Sequence, residues 1–254
     1  MNWKSIGQSV VGKSHSIDNK ACEDHICYET VSLPHEQVLL CCASDGAGSA
    51  MFAAEASNRV TQRTMQLLKQ WLHNGTVITE ALLLQMIETI YDELQAAATH
   101  REIPLNEFAC TLLGCIVYRT SAVFFQVGDG AIVRHDGNEG YSLIWWPHNG
   151  EYQNSTAFIV DDRIASQFKV QLLNEAVHEV AIITDGLQLL ALNTETMSPH
   201  QPFFADMFKW LRLADDEKKL HILQQKLGDY LNSPVINNRT DDDKTLFLAS
   251  RIQP

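Results

Sequence analysis

Only Arg119 and Thr120 separate the apolar run 110–118 from the apolar run 121–127. A connection that short admits an antiparallel hairpin and excludes the long crossover that parallel strands need. Further β-rich runs occupy 36–44, 131–134, 141–146 and 179–184, a last short one covers 246–249, and the Asp136-Gly137-Asn138 cluster marks another turn at hairpin spacing. Two helical blocks interrupt the strands. Residues 51–72 place Ala53, Ala56, Val60, Leu67 and Trp71 near one face, and 77–99 do the same with Leu83, Ile87, Ile90 and Leu94. The second block opens at Ser198-Pro199, read as an N-cap with proline at N1, and carries Phe203, Met207 and Leu211. It continues through Leu220, Leu223, Leu227 and Leu231, with Asp215-Asp216-Glu217 as a helix start, and ends before Asn237-Asn238. Helices arriving in pairs between groups of antiparallel strands predict an α+β layered fold, sheet in the middle and helices outside. No repeat, linker or low-complexity tract divides the 254 residues, so one domain over 1–254 is expected.

Composition removes several functions. Acidic residues outnumber basic ones 31 to 19, a formal charge of −12, which leaves no basic face for a phosphate backbone and argues against nucleic acid. The longest apolar runs, 38–43 and 111–117, fall far short of the roughly 18 residues a membrane span needs. The first residues are polar and mixed, unlike a secretory signal, so a cytoplasmic protein is expected. The six cysteines form no Cys-x-x-Cys pair, and Cys41, Cys42, Cys110 and Cys115 lie inside apolar runs, where a reduced thiol serves as a small hydrophobe. Of the adjacent Trp145 and Trp146, strand alternation sends one to the core and the other to the opposite face. The polar stretch 147–166 reads as a long loop.

Aspartate recurs where the apolar runs stop: Ser44-Asp45-Gly46, Gly128-Asp129-Gly130, Thr184-Asp185-Gly186, and Asp241-Asp242-Asp243 before the final run. Each Asp-Gly alone is an ordinary turn signal. Together they point further, because strand ends of one layered domain can converge on one edge, and clustered carboxylates repel unless a cation sits among them. Oxygen ligands without an assembled His/Cys set select a hard divalent ion such as magnesium, manganese or calcium. Two such ions roughly 3.5–4 Å apart can activate a bridging water and clamp a phosphoryl group. The residues therefore indicate a metal-dependent hydrolase of a phosphate ester, with no serine or cysteine nucleophile required.

The ordered motifs resemble the metal-dependent type 2C protein serine/threonine phosphatases, in a compact bacterial branch. Gly12-Lys13-Ser14-His15 through Cys22-Glu23-Asp24 is similar to the branch's opening motif, and Ser44-Asp45-Gly46-Ala47-Gly48 to its Asp-Gly-x-Gly. Cys110-Thr111-Leu112 resembles the Gly-Thr-Thr strand, Val127-Gly128-Asp129-Gly130 the Gly-Asp-Ser turn, Thr184-Asp185-Gly186 the Ser-Asp-Gly motif, and Asp242-Asp243-Lys244-Thr245 the closing Asp-Asn-x-Thr. The resemblance implies a central antiparallel β-sandwich flanked by helix pairs, four layers α-β-β-α, with two manganese or magnesium ions at one end. On it, Asp45 bridges both ions, Asp185 and Asp242 complete one, and the Gly46 carbonyl binds the other; Glu23 and Asp24 hold metal-bound waters. Asp129, with Asp185, matches a weaker third site. Asp241 and Asp243 are also acidic, and spacing to Thr245 is the one reason for choosing Asp242. Glycine at 46 suits a carbonyl that approaches a cation closely, and a turn glycine reads the same way.

Departures from the family pattern are informative. Many relatives bind the substrate phosphate with an arginine five residues before the Asp24 equivalent, where this chain has Asn19. Lys13 or His15 could reach the site from the same segment, and a solvent-exposed role competes with each. Animal members carry a histidine after the Asp-Gly, suited to protonating the leaving alkoxide; this chain has Ala47, so the acid is a metal-bound water or another histidine, His148 being a candidate. The implied function is hydrolysis of phosphoserine or phosphothreonine on a protein supplied by a bacterial serine/threonine kinase. Two competing readings remain: a catalytically weak phosphatase-like module that binds a phosphoprotein or signalling partner, for which Asn19 and Ala47 speak, and a two-metal hydrolase of small phosphate esters.

Overall fold

The computed structural model describes residues 3–138, 140–147 and 156–252. The chain opens with β1 (Trp3–Val10), a short helix α1 (Lys13–Ile17) and strands β2 (His25–Ser32) and β3 (Gln37–Ser44), then enters the helix pair α2 (Ala53–His73) and α3 (Glu80–His100). Strands β4 (Leu112–Val117), β5 (Ala122–Val127), β6 (Ala131–His135) and β7 (Ser142–Leu143) follow, then α4 (Ile164–Gln167), β8 (Lys169–Leu173) and β9 (Glu179–Ile183). The remainder holds α5 (Gln188–Ala191), the short pair β10 (Leu192–Asn193) and β11 (Ser198–Pro199), helices α6 (Gln201–Leu213), α7 (Glu217–Leu231) and α8 (Pro234–Asn237), and β12 (Lys244–Arg251).

Among the described residues two five-stranded sheets result, ordered β1-β12-β9-β6-β7 and β2-β3-β4-β5-β8, and their ladders are antiparallel. Across Arg119-Thr120 the hairpin closes with Val117 opposite Ala122. Strand alternation sorts the core into three layers. Leu39, Cys41 and Ala43 of β3 meet Ile132, Ile182 and Phe247 between the sheets. Leu40 and Cys42 face the other way, against Ala56, Val60, Leu68 and Leu83 of the first helix pair. On the outer side of the second sheet, Ala181, Ile183, Leu246 and Leu248 lie under Phe204, Phe208, Leu211, Leu227 and Leu231. The expected α-β-β-α arrangement is thus present, and burial on both faces explains why the inner strands read as continuous apolar runs.

The cysteines at 41, 42, 110 and 115 are buried free thiols, and burial pushes Cys110 and Cys115 up to about 12, so they are packing residues. Trp145 joins the layer between the sheets and Trp146 the layer under the helices. In α2 the buried stripe runs through Ala53, Ala56, Val60, Thr64, Leu68 and Leu72, while Leu67 and Trp71 sit at its margin. The second helical block begins at Gln201, not at Ser198-Pro199: Ser198 and Pro199 pair with Asn193 and Leu192, and the first-turn proline is Pro202. Asp216 does cap α7, accepting the Lys219 N–H at 2.7 Å. Among the described residues no helix is long and apolar enough to cross a membrane.

Antiparallel pairing also sets the chain's turns at common ends. Val10 pairs with Lys244, His25 with Ser44, Leu112 with Val127, and Ile183 with both Ala131 and Leu246.

Candidate metal centre

Acidic residues leave the strands at that end. Asp24 immediately precedes β2, Asp45 follows β3, Asp129 occupies the turn from β5 to β6, Asp185 follows β9 after Thr184, and Asp242 and Asp243 precede β12. The turn after β3 is clamped by Thr111, whose N–H donates to the Asp45 carbonyl (2.8 Å) and whose hydroxyl accepts the Asp45 N–H (2.9 Å). Gly46 donates its N–H to the Glu23 carbonyl at 3.1 Å, which fastens the Glu23-Asp24 segment beside Asp45. A Cβ at Gly46 would lie 2.8 Å from the Ala53 backbone, so the entry of α2 already demands glycine there. At Gly186 a Cβ would collide with the Asp243 carbonyl, which presses the Asp185 turn onto the loop before β12.

Asp24 is held by two hydroxyls: Thr184 and Thr245 donate to its Oδ2 at 2.8 and 2.7 Å, and the Thr245 N–H returns to Thr184 Oγ1 at 2.9 Å. Asp129 accepts the Thr156 hydroxyl at 2.6 Å, and its carbonyl accepts Gln188 Nε2 at 2.5 Å. Asp243 is engaged differently from its neighbour. Its Oδ1 accepts the Gly12 N–H and its Oδ2 the Glu23 N–H, each at 2.5 Å, while Asp242 remains more exposed.

Electrostatics bring the set together. Burial, and then Asp24 and Asp185, raise Asp45 well above the usual carboxylate range. Asp24 is pushed up to about 7 chiefly by burial, opposed by the two threonine hydroxyls and reinforced by Asp243 and Asp185. Asp185 rises to about 6, again by burial first, with Asp45 opposing and Asp129 and Asp242 raising it. Asp242 is raised too, mainly by burial. Glu23 Oε2, Asp24 Oδ1 and Asp185 Oδ1 are buried and accept no hydrogen bond from the described residues. Mutually destabilised carboxylates with buried oxygens that accept no hydrogen bond are a donor set short of positive charge, of the kind a hard divalent ion would fit. Among the described residues no three His, Cys, Asp or Glu side chains have their donor atoms already arranged around one point. The fit therefore rests on the orphaned oxygens.

Comparison with known proteins identifies the family. Residues 11–232 match the family model of protein phosphatase 2C. Serine/threonine-protein phosphatase 3 of Escherichia coli (strain K12) is 37% identical over 251 residues, 98% of each chain. The chain belongs to the protein phosphatase 2C family. Membership makes it an enzyme, a metal-dependent protein serine/threonine phosphatase. At the level of fold it superposes on serine/threonine phosphatase Stp1 from Staphylococcus aureus with a TM-score of 0.63 at 16% identity, covering 100% of this chain and 96% of that one. A structure of RsbX in complex with magnesium gives a TM-score of 0.56 at 12% identity, covering 98% and 94%.

Against the type 2C pattern, the opening segment is distinctive. Asn19 is exposed and left-handed, φ 54°, a conformation asparagine tolerates better than most residues, so its backbone explains its identity. Lys13 is exposed at the start of α1. His15 is drawn inward, with Nδ1 3.0 Å from Asp243 Oδ2 and Nε2 3.6 Å from Glu23 Oε2. His148 lies outside the described residues. The sequence reading passed over Lys20, whose Nζ lies 3.5 Å from Glu23 Oε1 and 3.4 Å from the Gly48 carbonyl. It also passed over the fixing roles of Asp243, Thr184 and Thr245; the closing motif contained two of the three, and its spacing was the available signal.

Proposed function

We propose that residues 1–254 act as one catalytic domain that hydrolyses phosphoserine and phosphothreonine in protein substrates, the phosphoprotein being the product of a serine/threonine kinase in the cytoplasm. The observation that carries this is the convergence of Asp24, Asp45, Asp185 and Asp242 at one end of the sandwich, with buried oxygens on Asp24 and Asp185 that find no donor among the described residues. In this reading Asp45, Asp185, Asp242 and the Gly46 carbonyl would hold two manganese or magnesium ions, and Asp129 with Asp185 would serve a weaker third. Bound there, such ions supply a water acidic enough to attack phosphorus and the charge to stabilise the phosphoryl oxygens.

The chain's own groups do the rest. Glu23 and Asp24 orient attacking water through their open oxygens, and the Thr184 and Thr245 hydroxyls hold the Asp24 carboxylate in the orientation this requires. Asn19 supplies no cation for the phosphate. Lys20 stands beside Glu23 and can take that part, with His15 and Lys13 on the same segment. With Ala47 after Asp45-Gly46, no imidazole from that turn protonates the leaving alkoxide.

Calorimetry tests the ligand set without relying on turnover. Wild type is expected to bind manganese at more than one site, and Asp185→Asn to lose binding while remaining folded by circular dichroism. Unchanged stoichiometry and affinity in Asp185→Asn would reject the assignment.

A further inference from the structure

The opposite end of the same sheet carries a second polar constellation. In register across four adjacent strands stand Lys4, Ser250, Glu179 and His135, since Lys4 pairs with Ser250, Ser250 with Glu179, and Glu179 with His135. Residues in one such row share a face of the sheet. Arg212, near the end of α6, closes over them: its Nη1 donates to Glu179 Oε1 at 2.7 Å, and its carbonyl accepts Lys4 Nζ at 2.7 Å. The row and Arg212 line a cavity of about 530 Å³. That size suits a small molecule.

Charge in the cavity runs against that of the chain. Lys4 and Arg212 line it together with the carboxylate of Glu179, in a protein of net charge −12, while the guanidinium of the neighbouring Arg251 is spent on the Tyr118 and Arg119 carbonyls. Glu179 is 5% exposed, and both of its oxygens are engaged, Oε1 by Arg212 and the Ser250 hydroxyl (3.0 Å), Oε2 by the Tyr141 hydroxyl (2.8 Å). Lys4 spends its hydrogen bond on a carbonyl, and the carboxylate that feels its charge, Asp215, is exposed to solvent. His135 Nδ1 accepts the Gly137 N–H at 2.8 Å, so the ring proton sits on Nε2 and adds a donor. Donors are thus held in place by fixed partners, and an oxyanion can use them through charge-assisted bonds.

We propose that this cavity is a binding site for a small molecule bearing a phosphate or carboxylate group, remote from the carboxylate cluster and independent of it. The test is calorimetric titration of the full chain, stripped of metal and at constant ionic strength, with inorganic phosphate, citrate and adenosine monophosphate in separate arms. At least one probe is expected to saturate with millimolar or tighter affinity. Lys4→Glu and Arg212→Gln should each weaken it by about tenfold or more, and Asp45→Asn should leave it unchanged. The arm that binds identifies the anion. Should Arg212→Gln fail to fold because Glu179 loses its cation, Lys4→Glu decides alone, since that side chain touches a carbonyl at the cavity's rim. No saturation in any arm at about 10 mM, full affinity in Lys4→Glu, or equal loss in Asp45→Asn would each overturn the proposal.

Discussion

Removing the Asp243 side chain should unfold the site from behind. Its carboxylate is 2% exposed and accepts two backbone N–H groups, from Gly12 and Glu23, that stand 231 and 220 residues away in sequence. A hydrogen bond to a charged group contributes about 1.5–3 kcal/mol, and a buried donor left bare carries its own penalty. Two such bonds give about 3–6 kcal/mol in Asp243→Ala. The lower end is expected, because the substitution also relieves repulsion with Asp24 and Asp242. A loss of about 3 kcal/mol is a large part of the usual 5–15 kcal/mol of stability. Urea unfolding of the metal-free protein measures it, with Asp243→Asn as control: the amide keeps one acceptor and turns a donor toward the other N–H. The alanine variant should lose about 3 kcal/mol and bind manganese more weakly, because Glu23 and Asp24 lose their anchor. A loss below about 1 kcal/mol, or an asparagine variant as stable as wild type, would refute the reasoning.

Other consequences follow from the same geometry. Gly186→Ala places a methyl against the Asp243 carbonyl and should cost about 1–3 kcal/mol, read by thermal unfolding, together with weaker manganese binding. The folded-state pKa of Asp24 lies above its unfolded value, so its contribution is fully present below pH 3.8 and lost as pH rises through about 7. Without metal, Asp24→Asn should therefore gain stability relative to wild type across that interval, and added manganese should reverse the order; a difference independent of pH would count against the burial of that charge. Lys20→Ala should raise KM for a phosphopeptide several-fold with a smaller change in kcat, and an unchanged KM would remove Lys20 from phosphate capture.

The inner strands were legible because burial on both faces leaves no ambiguity: β3, β4, β5 and β9 are apolar almost throughout. The missing strands β1, β2 and β8 are sheet edges, where one side meets solvent and residues such as Lys4, Gln8, Glu29 and Gln171 break the pattern. In α2 the stripe was misdrawn because Thr61 and Thr64 lie on its core face; Thr61 satisfies its hydroxyl on the Ser57 carbonyl (2.9 Å) and His25 (2.6 Å), so a polar letter hides a buried position. At the site, aspartate after an apolar run announced itself locally. The task of Asp243 did not, because it is defined by N–H groups from the other end of the chain, and neither did that of Thr245, whose partner is Asp24.

The central claim is that the converging carboxylates hold divalent metal for phosphomonoester hydrolysis. Phosphate release from a phosphothreonine peptide, by wild type and by Asp45→Asn, with manganese, with magnesium and with excess chelator, tests it most directly. Release that requires metal and disappears in chelator and in Asp45→Asn is the predicted result. Release that persists in chelator, or that folded Asp45→Asn retains in full, would contradict it.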